Sequence, residues 1–484
     1  MQTAKETHKG SPRNRHTGSL KRRQFLKKMV VGSCAGDLAW ARYDALSKGN
    51  DKVYDISRKL RSARRSVAVR IRVNGRLQAA STGEPQQLPL HVDGQLQYVE
   101  QLRAGRDNQA IAVRHYRQAL ARIDVAGQQT NSQLAAEHRR IICRTTSRQD
   151  ELFSPGGPLT RAELDLIDIP GNSAQWWMLL PERPVHVGDA WLLDSNAVAS
   201  LLRLEAISKS AVRCTLEKAV KSTLTIAIQG TAEGAVGGAA TLVRVDGHCQ
   251  LDSPSQHIRQ LDLRVWEDRQ MGHAQPGFEI QAQIEAFAEP LAPVPSGDAV
   301  IPPDTDKNSW NDRLLLLEFQ ASDGGFRLLH DRRWRVLADT PEVSILRYIE
   351  RGKLVAQANI SRLADRGAQP PWTKATLQDK IRQSLGDNFT RFLESSQRQD
   401  ERGYRVLRVR AAGSAEDVKL IWSYWYLVDR AGRQVSLIFT HEPKHTALFA
   451  AADRALADSL RILKRRGGSA RQADNTAVER FPQR

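Results

Sequence analysis

His441-Glu442-Pro443-Lys444-His445 is the stretch of this 484-residue sequence that spells out a reaction. Two histidines four residues apart on one helical face can hold zinc, with the intervening glutamate as general base of a hydrolase. That chemistry needs a helix, and the surrounding sequence does not offer one. Val435 to Thr440 reads as a strand running straight into His441. Pro443 lacks a backbone N–H and belongs in a first helical turn, not in the interior of a ligand helix. No histidine follows His445 to act as a third ligand. The motif is therefore read as a strand handing over to a helix start with an acidic residue near it. No metal is assigned; His441 and His445 are the remaining candidate ligands, and a zinc metallohydrolase is the remote alternative.

Other reactive residue types form no constellation. There is no Gly-x-Ser-x-Gly elbow. His248 and Cys249 are adjacent on a predicted strand and point to opposite faces. Asp304 and Asp306 lie in a proline-rich stretch and read as solvated. Trp176-Trp177 and the row Trp422, Tyr424, Tyr426 could line a ligand surface, but large aromatics more often fill cores. The cysteines are Cys34, Cys143, Cys214 and Cys249, with no metal-ligand spacing. Cys214 and Cys249 fall on predicted strands and could pair if those strands are neighbours; buried free thiols are the other reading. The expectation is a protein that is not an enzyme and carries no cofactor.

The net charge of +18 invites a nucleic-acid reading. Its distribution argues against one. Residues 1–50 hold 11 basic and 3 acidic residues and residues 464–484 hold 6 and 2, so the long middle carries only +6. No zinc-finger spacing, RNA-binding aromatic signature or phosphate loop appears, and nucleic acid is not expected as a partner. No apolar run approaches the ~20 residues of a membrane span, so none is expected.

The elements that position these residues fall into blocks. Residues 1–41 are a polar n-region followed by Arg22-Arg23-Gln24-Phe25-Leu26-Lys27, which resembles the twin-arginine export signal. A modest apolar stretch follows, and Ala39-Trp40-Ala41 fits the small-x-small cleavage pattern. Export to the periplasm or cell envelope is expected; cleavage or lipidation at Cys34 stays open. Residues 50–289 read as antiparallel β. Val67, Val69, Ile71 and Val73 alternate with polar residues up to Asn74-Gly75, a hairpin signal. Asp93-Gly94 repeats the device. Phe278, Ile280, Ala282, Ile284 and Ala286 alternate most cleanly. Thr160 to Glu163 forms a capping box for a short helix. Five prolines between 290 and 303 mark a linker, placed at 290–312.

Residues 313–464 read as a second domain: four strands, a helix, three strands and a final helix. The first helix is assigned a cap at Thr376 and a stripe of Leu377, Ile381, Leu385, Phe389 and Leu393. The last spans about 446–463. Val418–Val428 is apolar on both faces and should be a central strand. Residues 465–484 are a basic tail.

Two resemblances follow. The run Leu179-Leu180-Pro181, Pro184-Val185 and Val187-Gly188-Asp189-Ala190-Trp191, with Asp246-Gly247 and Pro276-Gly277-Phe278-Glu279, resembles exported planctomycete-type proteins of unknown function. Their fold is similar in outline to lipoprotein-carrier half-barrels, a curved sheet with a helix in its mouth. Phe326 to Trp334, Leu354 to Ile360 and Gly403 to Trp425 resemble bacterial PsbP-like α/β/α sandwiches, mostly non-catalytic binding or assembly proteins. The fold class expected is α+β: an antiparallel half-barrel or sandwich, then a PsbP-like antiparallel sheet flanked by helices. The function expected is that of an exported non-enzymatic protein, with an apolar or lipid-like small molecule held on a concave sheet face left uncovered in the first domain. The alternative is an assembly or scaffolding partner of an envelope protein.

Overall fold

In the computed structural model the described residues are 52–79, 86–104, 109–145, 150–292, 312–367 and 369–464. The leader with Arg22, Arg23, Phe25, Leu26, Lys27, Ala39 and Ala41 lies outside them. So do residues 293–311 of the linker and the tail 465–484. From Tyr54 onward the described chain belongs to one compact unit. It is built mostly of antiparallel β-strands in open sheets.

Period-two alternation of apolar and polar residues produces the first sheet. Its early strands are β1 (Ala63–Ala79), β2 (Gln86–Ala104), β3 (Ala110–Val125), β4 (Gln128–Gln133), β5 (Arg140–Thr145) and β6 (Asp150–Phe153). A short β7 (Leu159–Thr160) leaves for another sheet. The return arm holds β8 (Ala190–Leu192), β9 (Ala206–Ser210), β10 (Arg213–Val220), β11 (Thr223–Val236), β12 (Ala239–Asp252), β13 (His257–Arg269) and β14 (Gly277–Pro290). The path runs β6-β5-β3-β2-β1-β14-β13-β12-β11-β10-β8, with β4 on β3 and β9 on β11. β1 and β14 thus join the two arms, in register from Arg65↔Pro290 to Gln78↔Gly277.

One face of this sheet is filled by the chain between its arms. That segment holds α1 (Arg161–Ile167), a 3₁₀ stretch Ser173–Leu179 and α2 (Ser195–Leu202). Leu164, Trp176, Leu179, Val198 and Leu201 share one buried cluster with Val69, Leu96, Ile226, Leu263 and Ile284 of the strands. The capping box at α1 is present in full: the Thr160 hydroxyl accepts from Glu163 N–H, and the Glu163 carboxylate accepts from Thr160 N–H. The same carboxylate accepts from Ala135 N–H at 3.0 Å and pairs with His138 Nδ1 at 2.8 Å, so the cap also anchors α1 to the sheet.

Two expected hairpins are corrected. β1 runs through Asn74-Gly75 and β2 through Asp93-Gly94 without turning. Gly75 serves a different need: a Cβ there would lie 2.2 Å from the Glu279 carbonyl oxygen of β14, so only glycine allows the strands to approach.

The later strands are β15 (Leu317–Gln320), β16 (Phe326–His330), β17 (Trp334–Asp339), β18 (Ser344–Glu350), β19 (Lys353–Leu363), β20 (Phe389–Gln399), β21 (Arg405–Ala415), β22 (Val418–Val428), β23 (Gln434–His441) and β24 (Arg461–Ile462). Seven form an antiparallel sheet in the order β17-β18-β19-β23-β22-β21-β20. Helix α3 (Lys374–Leu385) packs Leu377, Ile381 and Leu385 on Trp422, Tyr424 and Tyr426. Helices α4 (Thr446–Phe449) and α5 (Ala452–Ser459) cover the other face, where Phe449 and Leu456 meet Trp425, Leu437 and Phe439. β22 is buried on both faces as its sequence requires.

Three local expectations are revised. The cap of α3 is Thr373, whose hydroxyl accepts from Thr376 N–H. That helix stops at Gly386, and Phe389 and Leu393 lie on strand β20. The last helix is split by Ala450 at a φ of 41°. A four-stranded sheet, β24-β16-β15-β7, ties the sequence halves together, with β7 parallel to β15.

His330 and His441 are both buried, and burial pushes each down to about 4 from an ordinary 6.5. The folded state therefore binds fewer protons than the unfolded state between these values. Their stabilisation is complete above pH 6.5 and is lost as pH falls toward 4, on the order of a few kcal/mol. Urea midpoints of wild type and of a His330→Gln/His441→Gln variant should converge as pH is lowered through this window. Parallel curves would show that the two histidines are not the source.

Candidate functional site

The HExxH residues do not share a helical face. His441 closes β23, with its ring on Phe449 at 4.8 Å and Nε2 3.4 Å from Thr446 Oγ1. Pro443–His445 is a 3₁₀ turn, and Glu442 pairs with Lys444 at 2.8 Å. Among the described residues no three His, Cys, Asp or Glu side chains group as metal ligands. Cys214 and Cys249 are free. β11 lies between their strands, so the backbones stand about 10 Å apart, beyond disulfide reach. Trp176 is core, its indole N–H donating to Gly171 O at 2.9 Å. Trp422, Tyr424 and Tyr426 are covered by α3, with Trp372 stacked on Tyr426 at 4.5 Å. His248 pairs with Asp262 on one face while Cys249 is buried on the other.

The apolar face of the first sheet is not bare, because α1, the 3₁₀ stretch and α2 occupy it. What remains is a cavity of about 850 Å³ at the edge of that filling. Its walls are α1, the 3₁₀ stretch, α2 and the residues just after it, the β11–β12 and β13–β14 turns, and β15, β17 and the β18–β19 turn. The volume lies within the usual range of small-molecule sites. Leu164, Met178, Leu204, Phe278, Phe319 and Val336 give it apolar surface. Asp165 shows that it is a recess open to the surface. Its side chain is 64% exposed, yet enough protein surrounds the carboxylate for burial to raise its pKa, against Arg161 and Arg335.

A polar network runs from the core to this cavity. Glu100 is fully buried and accepts from Arg65 Nη2 at 2.7 Å, Arg114 Nε at 2.9 Å and the Ser173 hydroxyl at 2.8 Å. Burial opposes its ionisation, but the two guanidiniums and the hydroxyl win and hold its pKa at about 2. Arg65 also donates to Ser173 O at 2.6 Å, and Arg114 donates to the Asn172 side chain. Asn172 donates to Asp150 at 2.9 Å. Asp150 then accepts from Arg203 at 2.7 Å and from Gln175, and both of these donors line the cavity. Gln175 Oε1, Ser200 Oγ and Arg203 Nε, in residues of this wall, are enclosed by protein and have no hydrogen-bond partner among the described residues.

Sequence reasoning missed the cavity residues because they are scattered between 145 and 352. The one legible signal was Arg332-Arg333-Trp334-Arg335, a basic cluster on a strand start, which reads alone as a solvated face.

No protein family and no curated protein matches this chain. Among solved structures it is similar to a protein of unknown function from Pseudomonas aeruginosa, at 13% identity over 29% of this chain and 91% of that one, with a TM-score of 0.21. It is also similar to the cyanobacterial PsbP of Synechocystis sp. PCC 6803, at 15% identity over 31% of this chain and 92% of that one, TM-score 0.24. An outer membrane protein of Vibrio cholerae aligns at 8% identity over 79% of this chain and 99% of that one, TM-score 0.13. The PsbP likeness is weak and covers a small part of the chain, and at these scores none of the three sets a fold or a role. No helix among the described residues is long and apolar enough to cross a membrane.

Replacing Glu100 by Gln should leave Arg65 and Arg114 buried without a counter-charge. The expected loss is about 3–5 kcal/mol in urea unfolding. Replacing Glu100, Arg65 and Arg114 together by apolar residues should cost less than the single change; a cost larger than that of the single change contradicts this account.

Proposed function

We propose that this chain is an exported, non-catalytic binding protein whose small-molecule ligand lies in the 850 Å³ cavity. The observation that carries the reading is that one recess is walled by apolar side chains and, beside them, by arginines whose carboxylate partners stand beyond hydrogen-bond distance. A ligand that covers the apolar wall and accepts from these guanidiniums gains from both contacts. The ligand class is an amphiphile rather than a purely apolar molecule, because charged and apolar walls face the same space.

The finer fold reading belongs with this proposal. A lipoprotein-carrier-like half-barrel is supported by an open antiparallel sheet with helices packed on one face. A PsbP-like unit over 313–464 is supported by an antiparallel sheet with helices on both faces. In this reading the ligand sits where the filling segment of the first sheet meets the second sheet, not on bare sheet.

Organic extraction of purified full-length protein, followed by mass spectrometry, should release an amphiphile at near-stoichiometric amount. An Ala199→Trp variant, which places a large ring on the cavity wall, should lose it while keeping its thermal midpoint within a few degrees. Wild type that is consistently empty and binds no added amphiphile would sink the proposal. Export is tested separately: a reporter fused behind residues 1–50 should be exported, and changing Arg22-Arg23 to Lys-Lys should retain it in the cytoplasm. Export of both forms contradicts a twin-arginine route.

A further inference from the structure

The cavity has one wall where arginines gather and their carboxylate partners stand beyond hydrogen-bond distance. Arg203 is met by Asp150 at 2.7 Å and by Asp168, and Arg269 is held by Glu267. Arg333 is bound by Asp331 at 2.8 Å and Glu350 at 2.6 Å. Arg161, Arg332 and Arg335 differ. The nearest carboxylate to Arg161 is Asp165 at 3.7 Å, and that to Arg335 is Glu205 at 3.6 Å; neither is a hydrogen bond. Arg332 donates to the carbonyls of Leu315, at 3.0 Å, and Leu152, and the carboxylates of Asp168, Glu151 and Asp331 act on its charge without a hydrogen bond to it. Arg161 donates to the carbonyl of Arg332 at 3.0 Å, which fixes the two residues together.

These cations also repel one another. Burial, then Arg335, then more weakly Arg332, lower the Arg161 pKa to about 10 against the pull of Asp165. His330 beside them is held neutral by burial, with Arg161 and Arg335 adding to the effect. The side chains of Arg161 and Arg335 are only 27% and 21% exposed, so water screens them poorly. An oxyanion placed here relieves the repulsion and accepts from planar guanidinium donors suited to it.

We propose that Arg161 and Arg335, braced by Arg332, form a subsite for the oxyanion head of an amphiphile whose apolar part lies along Phe319 and Val336. The head chemistry is a phosphate monoester or a group of like charge and geometry. This rests on the binding reading above and adds the charge and position of the head. Phe319 and Val336 line the same cavity as Arg161 and Arg335. Asp165 sets a limit: its carboxylate lies among the cations, so it either turns away or takes a proton when the head arrives.

The test uses full-length protein and three probes measured by titration calorimetry: dodecyl phosphate below its micelle concentration, dodecanol, and inorganic phosphate. Dodecyl phosphate should bind more tightly than dodecanol by about tenfold to a hundredfold, the worth of charge-assisted hydrogen bonds. Arg335→Gln, and separately Arg161→Gln, should remove most of that difference while leaving dodecanol binding unchanged. Arg335→Lys should keep part of it, and Asp165→Asn should strengthen dodecyl phosphate binding. Among the described residues the Arg335 side chain makes an ion pair with Glu205 at 3.6 Å and no hydrogen bond, so its variants guard against loss of folding; thermal midpoints check this.

If dodecyl phosphate and dodecanol bind equally and Arg335→Gln changes neither, the subsite is overturned while the binding reading stands. If neither amphiphile binds wild type, both fall. Inorganic phosphate binding as tightly as dodecyl phosphate, and lost in the same variants, retains the oxyanion site but overturns the amphiphile as its source.

Discussion

A single carboxylate inside the first sheet organises much of what surrounds it. Glu100 cannot be buried as an anion without neutralisation, and Arg65 and Arg114 supply it from neighbouring strands. Neither arginine is saturated by one carboxylate, and both turn to the chain that crosses the sheet. Arg65 takes the Ser173 carbonyl and Arg114 the Asn172 side chain. The 3₁₀ stretch is thereby tied to the strands by charge-assisted bonds as well as by apolar packing. Asn172 and Gln175 pass the connection to Asp150, and Asp150 to Arg203. The floor of the cavity is therefore set by a chain of hydrogen bonds that starts in the core.

The remaining walls come from contacts between the sequence halves. β7 pairs in parallel with β15, Leu159 with Leu317 and Thr160 with Glu318. This brings the start of α1 beside the strands that carry Phe319 and Arg335. Arg332 spans the same junction with bonds to Leu152 and Leu315, and Arg161 bonds back to Arg332. At the other rim the β11–β12 and β18–β19 turns meet at Gly238 and Gly352, where a Cβ on Gly238 would fall 2.1 Å from the Gly352 Cα. Both glycines have positive φ and no side chain could fit between them.

The sequence made the periodic parts of this fold legible. Alternation at Phe278–Ala286, the capping box at Thr160 and the two-faced apolar run at Val418–Val428 each state a local rule that tertiary structure then obeys. The misreadings share a cause. Asn74-Gly75 and Asp93-Gly94 carry hairpin chemistry, yet β1 and β2 pair along their whole length and the ladder outweighs the local turn preference. Phe389 and Leu393 continue a helical stripe on paper, but Gly386 ends α3 and the edge of the second sheet takes the chain as β20. Beyond the basic cluster Arg332–Arg335 the cavity was not legible. Its charged residues are ordinary surface arginines by local sequence, and only the pairing of β7 with β15 brings Arg161 to Arg335.

That pairing gives the charged wall its character. Each arginine would be fully hydrated on an open surface, and water would weaken their mutual repulsion. Enclosure removes part of that hydration and strengthens the repulsion together. The fold compensates incompletely: it leaves Asp165 and Glu205 beyond hydrogen-bond distance and directs Arg332 to carbonyls. The same enclosure raises the pKa of Asp165, so this carboxylate, on which both Arg161 and Arg335 act, holds its negative charge less firmly than an exposed aspartate does. Cations that gain little from their own protein, in a recess large enough to admit a ligand, stand to gain most from an anion brought from outside.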